Sequence, residues 1–257
     1  MSDIIELKKI TVMVMDYTVL SELSVAFPEG EVTCIVGKAG SGKSTLLKAA
    51  AGLVIPQWGQ VFFRGKDLGR MNSVEELNFR KKAAFGFQDA ALWANQSIYN
   101  NLSLPMVLHN PGLSKTESDR RIKMAVQTVG YNEGLAFRPA DLSMGEQKLI
   151  SLARALILEP ELLFLDEPTA SLDEDSVDRL INILKNLKTQ GRSMIIVSHD
   201  GRLIAELADR LCVVAQGSIA GFGTVDQVAP LLGGDLMRRI RQARSRADGI
   251  DDSKGGT

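Results

Sequence analysis

Gly37-Lys38-Ala39-Gly40-Ser41-Gly42-Lys43-Ser44-Thr45 is the stretch from which the fold can be read. It follows a short apolar run, Glu31–Val36, and leads into Thr45–Ala51, whose composition suits a helix, so the local order is strand, glycine-rich turn, helix. Its spacing, G-x-x-x-x-G-K-[ST], is that of a phosphate cradle. Glycines let the backbone curl so that successive N–H groups point inward at phosphate oxygens. The start of the helix adds a partial positive charge worth only about 0.3–1 kcal/mol when exposed, far too little to hold a triphosphate. Lys43 is therefore expected to bring a full charge to the β/γ-phosphates and Ser44 a hydroxyl to Mg²⁺. A glycine-rich turn with a chance Lys-Ser is the bland alternative, and the flanking elements weigh against it.

Downstream, Leu162-Leu163-Phe164-Leu165-Asp166-Glu167 is an unbroken apolar run ending in two carboxylates. Such a run suits a strand in the middle of a parallel sheet. Ser193–Val197 is a second one, and a helical stretch over Asp175–Thr189 separates the two, which makes a βαβ unit. Ligands bind at the carboxyl ends of such strands. Asp166 is thus placed to hold Mg²⁺, directly or through water, and Glu167 to polarise a water attacking the γ-phosphate.

Upstream, residues 4–36 alternate apolar and polar positions around turns such as Pro28-Glu29-Gly30, which predicts an antiparallel β region, and Gln60–Arg64 reads as a further strand. From about Asn95 to Val129, helix-forming segments broken at Asn110-Pro111-Gly112 predict an inserted lobe. A helix then runs from Ser143 through Ile150, Ala153 and Ile157 and stops before Pro160. The expected fold is α/β: a P-loop nucleotidase core with a parallel sheet, an N-terminal antiparallel β region and an inserted α-helical lobe. One domain is expected over residues 1–232, with the lobe at about 89–158, followed by an arginine-rich tail over 233–257.

Composition narrows the function. The 257 residues carry 30 Lys+Arg against 31 Asp+Glu, and 45% are hydrophobic, which fits a folded soluble protein and lacks the basic excess of most nucleic-acid binders. Cys34 and Cys212 sit far apart in apolar runs with no C-x-x-C pairing, so both are expected as buried free thiols. No apolar run approaches the roughly 18 residues that span a bilayer. The opening MSDIIELKKI, with its two acids, does not read as a secretory leader.

Leu142-Ser143-Met144-Gly145-Glu146-Gln147, just upstream of the acidic strand, resembles the Leu-Ser-Gly-Gly-Gln signature of the ATP-binding cassette (ABC) ATPases. Other elements of that family stand in the expected order. Gln88 follows the strand Ala83–Phe87, Ser171-Leu172-Asp173 matches the loop that contacts the second subunit, and His199 in Val197-Ser198-His199-Asp200 matches the switch histidine. The resemblance spans about Leu7 to Leu232 and implies an ATPase with ATP and Mg²⁺ as ligands. Gly37 to Thr45 and Gln88 would contact the nucleotide, Lys43, Glu167 and His199 would serve catalysis, and Ser44, Gln88 and Asp166 would meet the metal.

It further implies a head-to-tail homodimer. Ser143, Met144, Gly145 and Glu146 would face the ATP held by the other subunit, because Ser143 and the free N–H groups of a helix start form an anion site. Integral-membrane permease subunits are the implied partners, which would hold the chain at the cytoplasmic side of the inner membrane, with no nucleic acid involved.

Two departures stand out. Met144 replaces the first signature glycine, and Val14 stands where the family usually stacks an aromatic on adenine, with Tyr17 nearby; either Tyr17 stacks, or it is an ordinary turn residue and the base is held by apolar contact. The segment Gln88–Pro105 would line the permease groove, with Trp93, Ile98 and Tyr99 as anchors; packing inside the lobe is the alternative for each, and for Ile98 an equal one. It is also similar to the matching stretch of the bacterial phospholipid-trafficking importers, so phospholipid or another envelope lipid is the expected cargo, and lipoprotein-release ATPases are the near competitor. Soluble ABC ATPases of DNA repair or translation are disfavoured by the single cassette and by the absence of a long coiled coil between Gln88 and Ser143. A regulatory cassette without turnover is disfavoured by Glu167 and His199. The run Met237–Arg246 carries five arginines and reads as a solvated helix or frayed end, with contact to anionic lipid or to the partner ATPase as the alternative.

Overall fold

Alternation of apolar and polar residues makes β1 (Asp3–Val14) and β2 (Tyr17–Pro28) an antiparallel hairpin, with Ile5, Leu7, Ile10 and Val12 turned inward. The computed structural model describes residues 2–247. β3 (Val32–Val36) is buried along its whole length and ends at the glycine-rich turn, from which α1 (Lys43–Ala50) departs. β4 (Trp58–Phe63) and β5 (Lys66–Asp67) join the hairpin in a four-stranded sheet ordered β2-β1-β4-β5.

The chain then passes through α2 (Ser73–Lys82), β6 (Ala83–Gly86), α3 (Ile98–His109), α4 (Lys115–Thr128) and α5 (Met144–Leu156). Next come β7 (Leu162–Asp166), α6 (Glu174–Thr189), β8 (Ser193–Val197), α7 (Gly201–Leu207), β9 (Arg210–Ala215), β10 (Ser218–Gly223), α8 (Val225–Val228) and α9 (Gly234–Ala247).

The central sheet is ordered β10-β9-β3-β8-β7-β6. β9, β3, β8, β7 and β6 run parallel, as the apolar runs predict; β10 returns antiparallel at the edge. Because side chains alternate across a strand, neighbours such as Cys34 and Ile35 enter different cores. Ile35, Phe164 and Val197 pack against α1 and the N-terminal hairpin. Cys34, Leu163, Leu165 and Ile196 pack with apolar residues from α3 to α7, so the helices of the inserted segment share the core of the sheet. Both cysteines are buried and free, and burial pushes their thiols up to about 12.

The expected parallel core is present, with one antiparallel strand, β10, added at its edge. Over residues 234–247 the arginine-rich run is a helix rather than a frayed end; Arg238 and Arg239 stay exposed, while the face carrying Ile240, which is fully buried, docks α9 on α7. Burying such a side chain contributes about 1.5–3 kcal/mol, which is what pins the helix. A Cβ at Gly201 would stand 2.5 Å from Cβ of Arg239, so only glycine allows this approach. Arg238 and Arg239 pair with Asp235, and Arg244 with Asp226, so these charges are matched within the chain. The Arg246 side chain and the terminal DDSKGGT lie outside the described residues.

Candidate functional site

The order of the central sheet brings three strand ends together. β8 lies between β3 and β7, so the turn after β3, Ser198-His199 after β8 and Asp166-Glu167 at the end of β7 converge. Gly37 is forced by crowding: a Cβ there would meet the Val214 carbonyl oxygen at 2.2 Å. Gly42, at φ 102°, starts α1 in the left-handed region that favours glycine. Lys43 Nζ donates to the Lys38 carbonyl at 2.9 Å, so its charge lies over the loop. Ser41 Oγ is buried inside the turn with no hydrogen-bond partner among the described residues. Lys38, Ala39 and Gly40 border a cleft of about 700 Å³ that is shared with His199 and with Asp235 and Arg239 of α9.

Ser44 Oγ donates to Oδ1 of Asp166 at 2.9 Å, which ties the first turn of α1 to the end of β7. Asp166 is buried, whereas Glu167 turns back on itself at φ 46° and its N–H donates to the Val197 carbonyl at 2.9 Å. A non-glycine residue held in this region costs on the order of 1–3 kcal/mol, a cost that collects at functional sites. Glu167 Oε2 lies 2.8 Å from Nδ1 of His199, whose ring is two-thirds exposed. An ionised carboxylate only accepts, so with Glu167 ionised Nδ1 carries the proton and Nε2 is left to face the cleft.

Ser44 and Asp166 offer hard oxygen ligands side by side, which suits Mg²⁺. Among the described residues there is no cluster of three or more His, Cys, Asp or Glu able to hold a metal alone. That donor set fits an ion that takes its other ligands from phosphate and water. Gln88 follows β6 on the surface.

The signature residues stand apart from this group. Ser143 caps α5: its Oγ accepts from the Glu146 N–H at 3.3 Å and donates to Glu146 Oε2 at 2.7 Å, and its own N–H donates to that carboxylate at 2.8 Å. The Ser143 hydroxyl, then its N–H, holds the Glu146 carboxyl below the usual range. The donors expected to meet an anion therefore carry a carboxylate of the same chain. Met144 is half exposed beside them. The Ser171-Leu172-Asp173 loop lies against this turn, with Leu172 Cδ2 3.7 Å from where a Cβ on Gly145 would sit. Ser171 itself has φ 63°, and Asp173 caps α6 through the Ser176 N–H at 2.7 Å.

The outlying candidates divide. Val14 and Tyr17 face each other across the tip of the β1–β2 hairpin, and both are exposed. Trp93 is exposed, Tyr99 donates its hydroxyl to Asp119 at 2.7 Å, and Ile98 is fully buried, so Ile98 is a core residue rather than an anchor. Asn101 accepts from the Trp93 N–H at 2.8 Å and donates to the Ser97 carbonyl at 3.0 Å, so its role is to shape the loop ahead of α3.

Two residues escaped the motif search. Arg154 of α5 donates to the carbonyls of Ala90 and Ala91, holding the loop after Gln88. Lys148 of α5 is buried and donates to carbonyls of Glu167 and Ala170; burial pulls its ammonium below the ordinary lysine range, and the Glu167 charge opposes that pull. Lys148 shares a helical stripe with Gly145 and buried Leu152, and a lysine on an inward-facing stripe is the sequence signal that could have found it.

The sequence pattern that defines the ABC transporter family matches residues 20–170. The intermembrane phospholipid transport system ATP-binding protein MlaF of Haemophilus influenzae is 30% identical over 248 residues, covering 96% of this chain and 92% of that protein. The lipoprotein-releasing system ATP-binding protein LolD of Aquifex aeolicus is 34% identical over 222 residues, 86% of this chain and 98% of the relative. Among solved structures, a dimeric ATP-binding cassette in a post-hydrolysis state bound to ADP and Pi matches with a TM-score of 0.79 at 27% identity, covering 86% of this chain and 98% of that one.

Proposed function

The chain belongs to the ABC transporter family as an ATP-binding, ATP-hydrolysing subunit, and from that premise we propose how its residues divide the work. The meeting of the three strand ends, fixed by the Ser44–Asp166 and Glu167–His199 contacts, carries the proposal. The turn from Gly37 to Thr45 wraps the phosphates with backbone N–H groups, and Lys43 leaves the Lys38 carbonyl to meet the β/γ-phosphates. Ser44, Asp166 and Gln88 would hold Mg²⁺, which when bound neutralises phosphate charge. Glu167 accepts a proton from the attacking water, and His199, oriented through Nδ1, lines the γ-phosphate side of the cleft. Val14 or Tyr17 contacts the base from the hairpin tip.

A single chain leaves this site open on the cleft side. The signature end, Ser143 to Glu146, is the surface that closes it from a second copy in a head-to-tail homodimer, with Ser171, Leu172 and Asp173 at the shared face. For the Ser143 donors to meet a phosphate, the Glu146 carboxylate has to swing aside. ATP then glues two cassettes and hydrolysis parts them, the closure that drives a separate permease. Among the described residues no helix is long and apolar enough to cross a membrane, which supports a peripheral subunit held at the cytoplasmic face by that permease.

An envelope lipid is the cargo we favour. The Gln88–Pro105 segment supports it, as does the phospholipid-transport relative that matches nearly the whole chain. Lipoprotein release is the second reading, supported by the relative at 34% identity. The test of the core proposal is Glu167→Gln in the purified protein. Hydrolysis should fall by roughly 10²–10⁴-fold while ATP still binds and a dimer accumulates by size-exclusion chromatography. Unchanged turnover overturns the role of Glu167. Purification from detergent-solubilised membranes, with identification of the integral protein that follows, tests the permease and separates the two cargo readings.

A further inference from the structure

Lys148 is the buried charge for which the roles above give no use. It sits five residues after Ser143 on α5, only 8% exposed, and its ammonium reaches out of the helix to the backbone of the turn after β7. There it donates to the Glu167 carbonyl at 3.3 Å and to the Ala170 carbonyl. That turn is strained at both ends, since Glu167 and Ser171 are non-glycine residues with φ 46° and 63°. Such conformations persist only where the surroundings over-determine them. An ammonium on two carbonyls of the same turn does this, and burial strengthens both hydrogen bonds because water does not compete. Apolar surroundings alone would not explain a lysine here, because removing an ammonium from water is unfavourable without such partners.

We propose that Lys148 is a positioning residue, which pins the Glu167–Ala170 turn to the signature helix and so fixes where the Glu167 carboxylate stands. The inference rests on the assignment of Glu167 as the base. It has a mechanical corollary. Gly145 packs beside Leu172 and Ser176, so the start of α5, the 171–173 loop and Glu167 form one connected block. Movement of the signature end against a second subunit is then transmitted to the base of its own chain through one ammonium.

The experiment compares Lys148→Met, Lys148→Gln and Lys148→Arg for kcat, for KM of ATP and for melting temperature. A base displaced by about an ångström loses up to about 10²-fold in rate. Lys148→Met should therefore lower kcat by about 10–10²-fold while KM for ATP stays within about twofold, because the phosphate cradle is untouched. Lys148→Arg keeps the charge and the donors and should recover at least half of that loss on a logarithmic scale. Lys148→Gln serves in place of the methionine variant should the latter be insoluble. A lower melting temperature with unchanged kcat in the folded fraction overturns the proposal, as does an equal loss of kcat in the Met and Arg variants. Glu167→Gln in the same assay separates the two ideas. If that variant is inactive and Lys148→Met is fully active, the positioning role alone fails; if Glu167→Gln is active, the assignment beneath it fails.

Discussion

Ser44 and Asp166 stand 122 positions apart in the chain and share a 2.9 Å hydrogen bond; Glu167 and His199 stand 32 apart and meet at 2.8 Å. At the signature end, the Ser143 hydroxyl bonds to Glu146, three residues away, and Met144 beside it is half exposed. The first region is built by the order of strands in one molecule, and its polar contacts are made within it. The second is a helix cap whose polar bonds are local and whose packing is against Leu172 and Ser176. Under the proposed function its polar partner comes from a second copy. The difference teaches where changes should act: at the strand ends on the chemistry of one chain, at the cap on what happens between two.

Lys43→Ala breaks the first region most severely. Without its full charge the cradle keeps only N–H groups and a helix end, and ATP affinity should fall by at least about 10²-fold, read by titration calorimetry. An affinity within threefold of the parent would show that the cradle binds phosphate without the lysine. Gly145→Ala sharpens the contrast from the other side. Its neighbours leave ordinary van der Waals space, so the monomer should melt within a few degrees of the parent. Turnover and ATP-driven dimerisation should nonetheless drop by about tenfold or more, because the backbone approach to a second molecule is blocked. Normal dimerisation in that variant would place the intersubunit contact elsewhere.

The smallest effect concerns the cap itself. Glu146 has a folded carboxyl held below its unfolded value, so its stabilising contribution is present above pH 4.5 and fades as pH falls through the lowered folded value. Glu146→Gln should therefore lower the melting temperature slightly at pH 7, by no more than about 1 kcal/mol in stability. The gap should close as the pH drops below 4.5, and a gap independent of pH would mean that the carboxylate charge is irrelevant to the cap.

Much of the fold could be read in advance because its signals are local. Leu162–Leu165 and Ser193–Val197 are apolar without alternation and form central parallel strands; residues 4–28 alternate and form a hairpin. β10 was not anticipated, because its short sequence, Ser218–Gly223, carries two glycines and no clean period. The docking of α9 was hidden as well, since one buried isoleucine among many arginines reads as a solvated helix until Gly201 is seen to admit it. The candidate site was legible as motifs but not as contacts. Nothing in the residues near Glu167 announces that His199 is its partner or that Lys148 lies beneath it.

What the sequence determined by itself was backbone geometry over a few residues: the curl from Gly37 to Ser44, the strand ending at Asp166, the capped start of α5. These follow from steric freedom, hydrophobic period and near-neighbour hydrogen bonds, all of which act between residues close in the chain. What only the tertiary structure decided was which ends meet. With β8 threaded between β3 and β7, the phosphate turn, the two carboxylates and His199 share one edge, and α5 lays Lys148 under the turn that carries Glu167. That order is fixed by burying both faces of the sheet at once, a condition on the whole chain that no short stretch can express.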